Sequence, residues 1–275
     1  MLFKSKVKTE AKQTSVSVKK PVAGPGRKSA SRSGQKPVAP ASQRSATDEG
    51  VKVLAPCNIC GGTVFTPGPG GRLSVNKLPP RCEECGSVER HRAFKMIFDK
   101  IRTGTFKAIF KEWSCLAFNK DRTVAGGWFA SIKYAVPGTE DALDVQNISL
   151  PSESVDVVVC NHIISTVPRY EQGLKELARI ISKRGFAFVS FPNPHYRQIT
   201  DDWGFPKPEQ HGLYRIFGAD IEAKLKTILP DIAIVRVIGQ DPVTGAEDRA
   251  YIISKSSDFL GHLGEQGLRI RFLHF

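Results

Sequence analysis

The segment from Leu143 to Pro192 constrains this chain more than any other. It runs Leu-Asp-Val-Gln-Asn-Ile-Ser-Leu-Pro, then Val-Asp-Val-Val-Val-Cys-Asn-His-Ile-Ile, then an amphipathic stretch, and ends Arg-Gly-Phe-Ala-Phe-Val-Ser-Phe-Pro. Two nearly continuous apolar runs separated by a helical repeat are what strands buried on both faces require; a sheet with one wetted face shows alternation instead. The predicted unit is therefore strand, helix, strand in an open parallel sheet. Pro168 opens a helix over 169–182, with Leu174, Leu177, Ile180 and Ile181 on one face and Lys175, Glu176 and Arg179 on the other. Lys183-Arg184-Gly185 reads as its basic end and C-cap. Asn161 and His162 close the first strand, at the carboxyl end where open α/β sheets bind ligands.

The flanking sequence supplies the rest of such a sheet. Phe106–Phe110 and Ser114–Phe118 are both apolar, and 113–118 is the better first strand because the polar loop Asn119-Lys120-Asp121-Arg122 follows it. A second strand is expected over 131–136, ending at Pro137-Gly138, with a short or irregular helix between the two because Gly126-Gly127 interrupts it. Residues 193–217 read as a long loop containing His195, Trp203, His211 and Tyr214, a length that usually carries function or forms a lid. A helix over 221–229 and two antiparallel strands, 232–238 and 250–253, complete the pattern. The last twenty residues suggest only a helix or a docked tail.

Upstream lie two Cys-x-x-Cys pairs, Cys57/Cys60 and Cys82/Cys85, with 21 residues between them. The spacing is close to the roughly 15–20 residues of a zinc ribbon, and four thiolates leave a metal no open position, which points to structural Zn2+. Short strands are expected at 63–65 and 72–75 around Pro67-Gly68-Pro69-Gly70-Gly71. The ribbon leads into a helix with Phe94, Ile97, Phe98 and Ile101 on one face and Ser87 as N-cap. Glu89, Arg90, His91 and Arg92 then sit in its first turns, where they either clamp the ribbon to the next domain or meet a ligand. Cys115 and Cys160 read as buried free thiols.

Residues 1–50 hold eleven of the basic residues and three acidic ones, so +8 of the formal net charge of +13 is concentrated there. That segment is rich in Lys, Ser, Pro and Ala and too poor in apolar side chains to offset its ordering entropy, so a disordered basic tail is expected. It either solubilises the chain or makes nonspecific contact with nucleic acid or an anionic surface. No apolar run approaches the roughly 20 residues of a membrane helix and no signal-peptide core opens the chain, so a cytoplasmic location is expected. The domain reading is 1–50 tail, 51–90 zinc ribbon and 91–275 α/β domain.

The order of segments over about 113–254 resembles the Rossmann-like class I S-adenosylmethionine-dependent methyltransferases, most closely the type 11 group. A mostly parallel sheet with a C-terminal antiparallel strand is what that resemblance implies. A bacterial subgroup is also similar at Cys57-Asn-Ile-Cys60, at Cys82-Glu-Glu-Cys85-Gly-Ser-Val-Glu-Arg-His-Arg92, and at Gln210-His211-Gly212-Leu213-Tyr214-Arg215-Ile216-Phe217-Gly218. The resemblance implies S-adenosyl-L-methionine as cofactor and methyl transfer to an unidentified acceptor. It places Asp144 and Val145 beside the adenine, Asn161 and His162 at the methionine portion, and Asn119 and Asp121 in the cofactor loop. Asp144 also fits a turn-forming role, and His162 a core role. Methyl transfer depends mainly on alignment, so no catalytic triad is expected; His162, His195 and His211 are the candidates for accepting a proton.

Two features depart from the family pattern. Phe118-Asn119-Lys120-Asp121 replaces the glycine-rich loop after the first strand, and Pro137-Gly138-Thr139 precedes the first acid, Glu140, after the second. These departures motivate a second reading, a catalytically degenerate protein of this fold acting as a nucleic-acid or protein binding module.

Overall fold

The computed structural model describes residues 55–274 except Asp121 and Asn193, so the expected basic tail lies outside the described residues. The described residues form one compact unit. In chain order its elements are β1 (Phe65–Thr66), β2 (Arg81–Cys82), α1 (Glu89–Ile101), α2 (Phe106–Ile109), β3 (Ser114–Ala117), β4 (Ser131–Tyr134), β5 (Val155–Asn161), α3 (Tyr170–Ile180) and β6 (Ile181–Ser190). They continue with β7 (Asp201–Lys207), β8 (Leu213–Ile216), α4 (Ile221–Ile228), β9 (Ala233–Gln240), β10 (Glu247–Ser254), α5 (Ser257–Glu265) and β11 (Arg269–His274).

Seven strands form the central sheet in the order β11-β9-β10-β6-β5-β3-β4. β4, β3, β5 and β6 are parallel neighbours, β10 runs against both β6 and β9, and β11 runs against β9. The mostly parallel α/β sheet with an antiparallel C-terminal strand is thus present, with β11 as an edge strand that the sequence reading left as a tail.

β5 explains why its sequence does not alternate. Val157 and Val159 pack with Phe186 and Phe188 into a core that includes Phe94 and Phe98 of α1 and Phe259 of α5. Val158 and Cys160 pack with Ala187 and Val189 into a second core that includes Leu174 and Leu177 of α3 and Leu225 of α4. Every residue of β5 is buried, as a strand between two helical layers must be.

Several local expectations need correction. Gly185 is not a helix C-cap: α3 ends at Ile180 and Gly185 lies within β6, where a Cβ would stand 1.9 Å from the Asp156 carbonyl oxygen. Close approach of two strands, not a left-handed turn, requires glycine there. Glu176 is not on a solvated face but buried; it accepts from the Ile148 amide at 2.8 Å and binds Arg179, which donates to the Ile148 and Leu150 carbonyls. This pair fastens the Leu-Pro turn to α3. Residues 193–217 include the β7–β8 hairpin, held by buried Arg215, which donates to Asp202 and to the Val167 and Pro168 carbonyls. In the ribbon, the partner of β1 is β2 and not 72–75, which among the described residues makes only an isolated bridge from Arg72 to Gly68. Residues 106–110, apolar enough to suggest a strand, are α2 and the start of the turn that follows.

Candidate functional site

The chain crosses from β3 out to β4 and then returns to place β5 on the other side of β3. That reversal opens a crevice at the carboxyl ends of β3 and β5, the position where open α/β sheets receive ligands. Asn161 is the last residue of β5 and is buried. Its amide nitrogen donates to Thr123 Oγ1 at 3.3 Å and its carbonyl oxygen accepts from Ser190 Oγ at 3.0 Å. Asn161 therefore ties the loop after β3 to the ends of β5 and β6.

His162 follows with a left-handed backbone (φ 62°), unusual for a residue other than glycine, while its amide still bonds the Ser190 carbonyl at 3.0 Å. Arg90 Nη1 lies 3.3 Å from His162 Nδ1. A guanidinium only donates, so Nδ1 accepts and the proton of the neutral ring sits on Nε2. Burial, together with the charges of Arg90 and His91, lowers the imidazole to about 3, which keeps it neutral. Nε2 is buried without a hydrogen-bond partner. It is an oriented donor that the rest of the protein leaves unpartnered.

His162 also lines a cleft of about 330 Å³ bounded by Arg72–Val75 of the ribbon, Val88–Arg90, Tyr196 and Ala246–Asp248. Burial pushes the Asp248 carboxyl up to about 6, against the Arg249 amide and the charge of Arg90. Arg72 and Glu89 pair through two bonds of 2.9 and 2.8 Å at one wall. His195 sits beside the cleft with its ring against Tyr196, its pKa lowered by burial and by Arg249, and its Nδ1 buried without a partner. His211 is exposed at the β7–β8 turn and does not line the cleft.

On the other flank the structure is more open. Asp144 is exposed, and its Oδ1 accepts from the Gln146 amide at 2.9 Å and from the Gln146 side chain at 3.0 Å, an Asx turn. Val145 is buried beneath it, 3.6 Å from where a Cβ on Gly173 would lie. Asn119 is half-buried at the end of β3, and Asp121 lies outside the described residues. Beside β4 a groove of about 590 Å³ is lined by Lys120, Tyr134, Val136, Thr139 and Asp141. Asp141 thus reaches the region that the Pro137-Gly138 turn separates from β4 in sequence.

The four ribbon cysteines converge, their Sγ atoms all within 4.8 Å of one another. Cys57–Cys85 and Cys60–Cys82 are 3.8 and 3.6 Å apart, and a tetrahedral site with Zn–S near 2.3 Å has edges of about 3.8 Å. Gly61 and Gly86, each after the second Cys of a pair, have φ of 84° and 69° and turn the knuckles. Ser87 is buried and not the N-cap of α1; its hydroxyl lies 3.3 and 3.1 Å from Cys57 and Cys85 Sγ. Val88 holds the N-cap position, and its amide donates to His91 Nδ1 at 3.1 Å. His91 is a capping side chain, and the donor set for a metal is the four thiolates.

Asp248 and Tyr196 were not singled out by sequence, whereas Arg92 was expected either to clamp the ribbon to the next domain or to meet a ligand, and it is a clamp. Arg92 is fully buried, paired with Asp241 at 2.7 Å through both Nε and Nη2 and donating to the Ser87 and Pro80 carbonyls. It clamps the ribbon to the β9–β10 turn, aided by Asn76, which donates to the Thr244 carbonyl at 2.7 Å. The available signal for Asp248 was an acid two residues before the apolar run from Ala250 to Ile253; only the fold brings it to the cleft that His162 lines.

Residues 131–189, from β4 through β6, match a family described as a methyltransferase domain. No curated protein matches the chain. Among solved structures, an S-adenosylmethionine-dependent methyltransferase of Thermotoga maritima is similar at 18% identity over 60% of this chain and 90% of that one, with a TM-score of 0.37. The Burkholderia thailandensis 1,6-didemethyltoxoflavin-N1-methyltransferase with bound S-adenosylhomocysteine is similar at 12% identity over 61% and 80%, with a TM-score of 0.42. The family match spans the strand-helix-strand unit that carries Asn161 and His162.

Proposed function

We propose that the protein transfers a methyl group from S-adenosylmethionine to an acceptor held between the carboxyl end of β5 and the start of β10, and that the ribbon holds a structural zinc ion. The observation that carries the first part is the orphaned Nε2–H of His162 at the end of β5, a buried donor with no protein partner. Leaving such a group unsatisfied costs about 1–3 kcal/mol, so it is a fitting contact for a ligand oxygen. The exposed carboxylates of Asp144 and Asp141 suit the hydrogen-bond donors of adenine and ribose. Asn119 lies where the cofactor loop belongs.

The cofactor, when bound, supplies an electrophilic methyl group. The chain's task is to orient and to exclude water. Asn161 fixes the loop over the crevice through Thr123, and Arg90 fixes the tautomer of His162. Titration calorimetry with S-adenosylmethionine tests the assignment: saturable binding is expected, weakened by His162→Ala. No heat and no thermal shift at millimolar cofactor overturns it and returns the chain to a binding-module role. For the ribbon, metal analysis of the purified protein is expected to give one zinc per chain, lost in Cys60→Ser.

A further inference from the structure

The cleft between the ribbon, the start of α1 and the start of β10 has a division of character. Its floor is polar, with Arg90, His162 and Asp248. Its rim carries Leu73, Val75 and Tyr196, 42%, 64% and 64% exposed, three of the six exposed large hydrophobics among the described residues. Scattered single apolar residues on a surface need no account, but half of them gathered round one opening do. We infer that this cleft is the acceptor subsite, taking a small amphipathic molecule whose apolar body lies against Leu73, Val75 and Tyr196 and whose hydroxyl or amine N–H points to Asp248. The inference rests on the methyltransferase reading above.

The charges support a neutral head group. Arg72 pairs with Glu89, and Glu247 with Arg269. That leaves Arg90 and Asp248 of opposite sign at the floor, with no positive excess to attract a phosphate backbone. A hydroxyl or amine that gains a methyl group must lose a proton. As its lone pair forms the new bond to carbon, the pair that held the methyl stays with the sulfur of the sulfonium donor, and the O–H or N–H proton passes to the Asp248 carboxylate. Burial places that carboxyl near 6, within the range a general base needs at neutral pH. One wall of the subsite is ribbon backbone from Arg72 to Val75, so acceptor recognition depends on the same unit that gathers the cysteines.

The test uses the full chain with S-adenosylhomocysteine present and phenol, aniline, indole and anisole as probes, read by ligand-observed NMR. Phenol and aniline are expected to bind, and anisole, which has no proton to give Asp248, at least threefold more weakly. Val75→Asp combined with Tyr196→Ala changes exposed residues only; it is expected to weaken phenol at least tenfold and leave S-adenosylhomocysteine affinity by calorimetry unchanged. Asp248→Asn is expected to remove the preference for phenol over anisole. Cofactor binding without probe binding, or probe binding indifferent to these variants, overturns the subsite alone. Displacement of phenol by an oligouridylate at low salt overturns the small-molecule assignment. Absence of S-adenosylhomocysteine binding overturns the methyltransferase reading, and the subsite with it.

Discussion

At the end of β5, Asn161 and His162 are held by side chains from three other segments: Thr123, Ser190 and Arg90. At the end of β4, Thr139 holds its turn through the Val136 carbonyl, and Asp141 and Asp144 are exposed on short local turns. The two flanks of one crevice thus differ in how their polar groups are fixed. On the β5 side position is set before a ligand arrives, and altering a residue disturbs the fold as well as the site. On the β4 side the carboxylates stand free, so binding must supply part of the order and substitutions leave the fold almost untouched.

The most severe way to break this contrast is to release the clamp behind the rigid flank. Arg92 and Asp241 are both fully buried, and removing one partner leaves the other charged and unpaired. Arg92→Ala is expected to cost about 3–5 kcal/mol, read as a lower urea midpoint with an unchanged slope. Because Arg92 also holds Ser87 and Pro80, zinc retention during dialysis against a chelator should fall with it. A variant that keeps wild-type stability and metal would show that the ribbon is held elsewhere.

A finer probe is proton linkage at the cleft. His162, which faces Arg90 and His91, takes its proton near 6.5 in the unfolded chain but only near 3 when folded. Its contribution to stability is whole above 6.5 and is lost as pH falls towards 3. Asp248, which faces Arg90, Glu89 and the Arg249 amide, moves the other way, from 3.8 to about 6. Its contribution is whole below 3.8 and is lost as pH rises through 6. Between these limits the two oppose, each at no more than ~1.4 kcal/mol per pH unit. From pH 6 to 4 the two slopes nearly cancel in wild type; relative to it, His162→Gln should gain stability as pH falls over that range and Asp248→Asn should lose it. Chemical denaturation at four pH values separates these outcomes. Identical profiles in all three proteins would mean that neither group is buried as described.

The sequence reading went furthest where one segment decides its own structure. Leu143–Pro192 carries its burial on both faces in its composition, and the cysteine pairs carry their knuckles in the glycines that follow. β11 offered a signal in the alternation Arg269-Ile270-Arg271-Phe272, which two-sided burial would not produce and an edge strand does. The roles of Gly185 and Glu176 were misread because both depend on a partner strand or loop that local pattern does not show. Arg92 and Asp241 are 149 residues apart in sequence, and the cleft joins the ribbon, α1, β5 and β10. No window of sequence contains such a site. The polar residues at the end of β5 were legible for a different reason: a buried strand that stops in Asn-His announces its own edge.

The smallest expected change in stability is also the sharpest test of the open flank. Asp144 makes its Asx turn with Oδ1 alone, and an asparagine side-chain oxygen can accept the same bonds. Asp144→Asn should therefore stay within about 0.5 kcal/mol of wild type, as exposed substitutions usually do. What it removes is the charge and one acceptor position, and a ligand amine that donates to the carboxylate loses its charge-assisted bond. If the adenine is read here, calorimetry should show S-adenosylhomocysteine bound roughly tenfold more weakly, a loss of about 1.4 kcal/mol, with the melting curve unmoved. Should affinity persist while Asp144→Ala unfolds at lower temperature, the residue is a turn former and nothing more. The adenine must then be held by backbone or by the Lys120–Asp141 groove, and the contrast between a rigid and an open flank would have to be redrawn around Asp141.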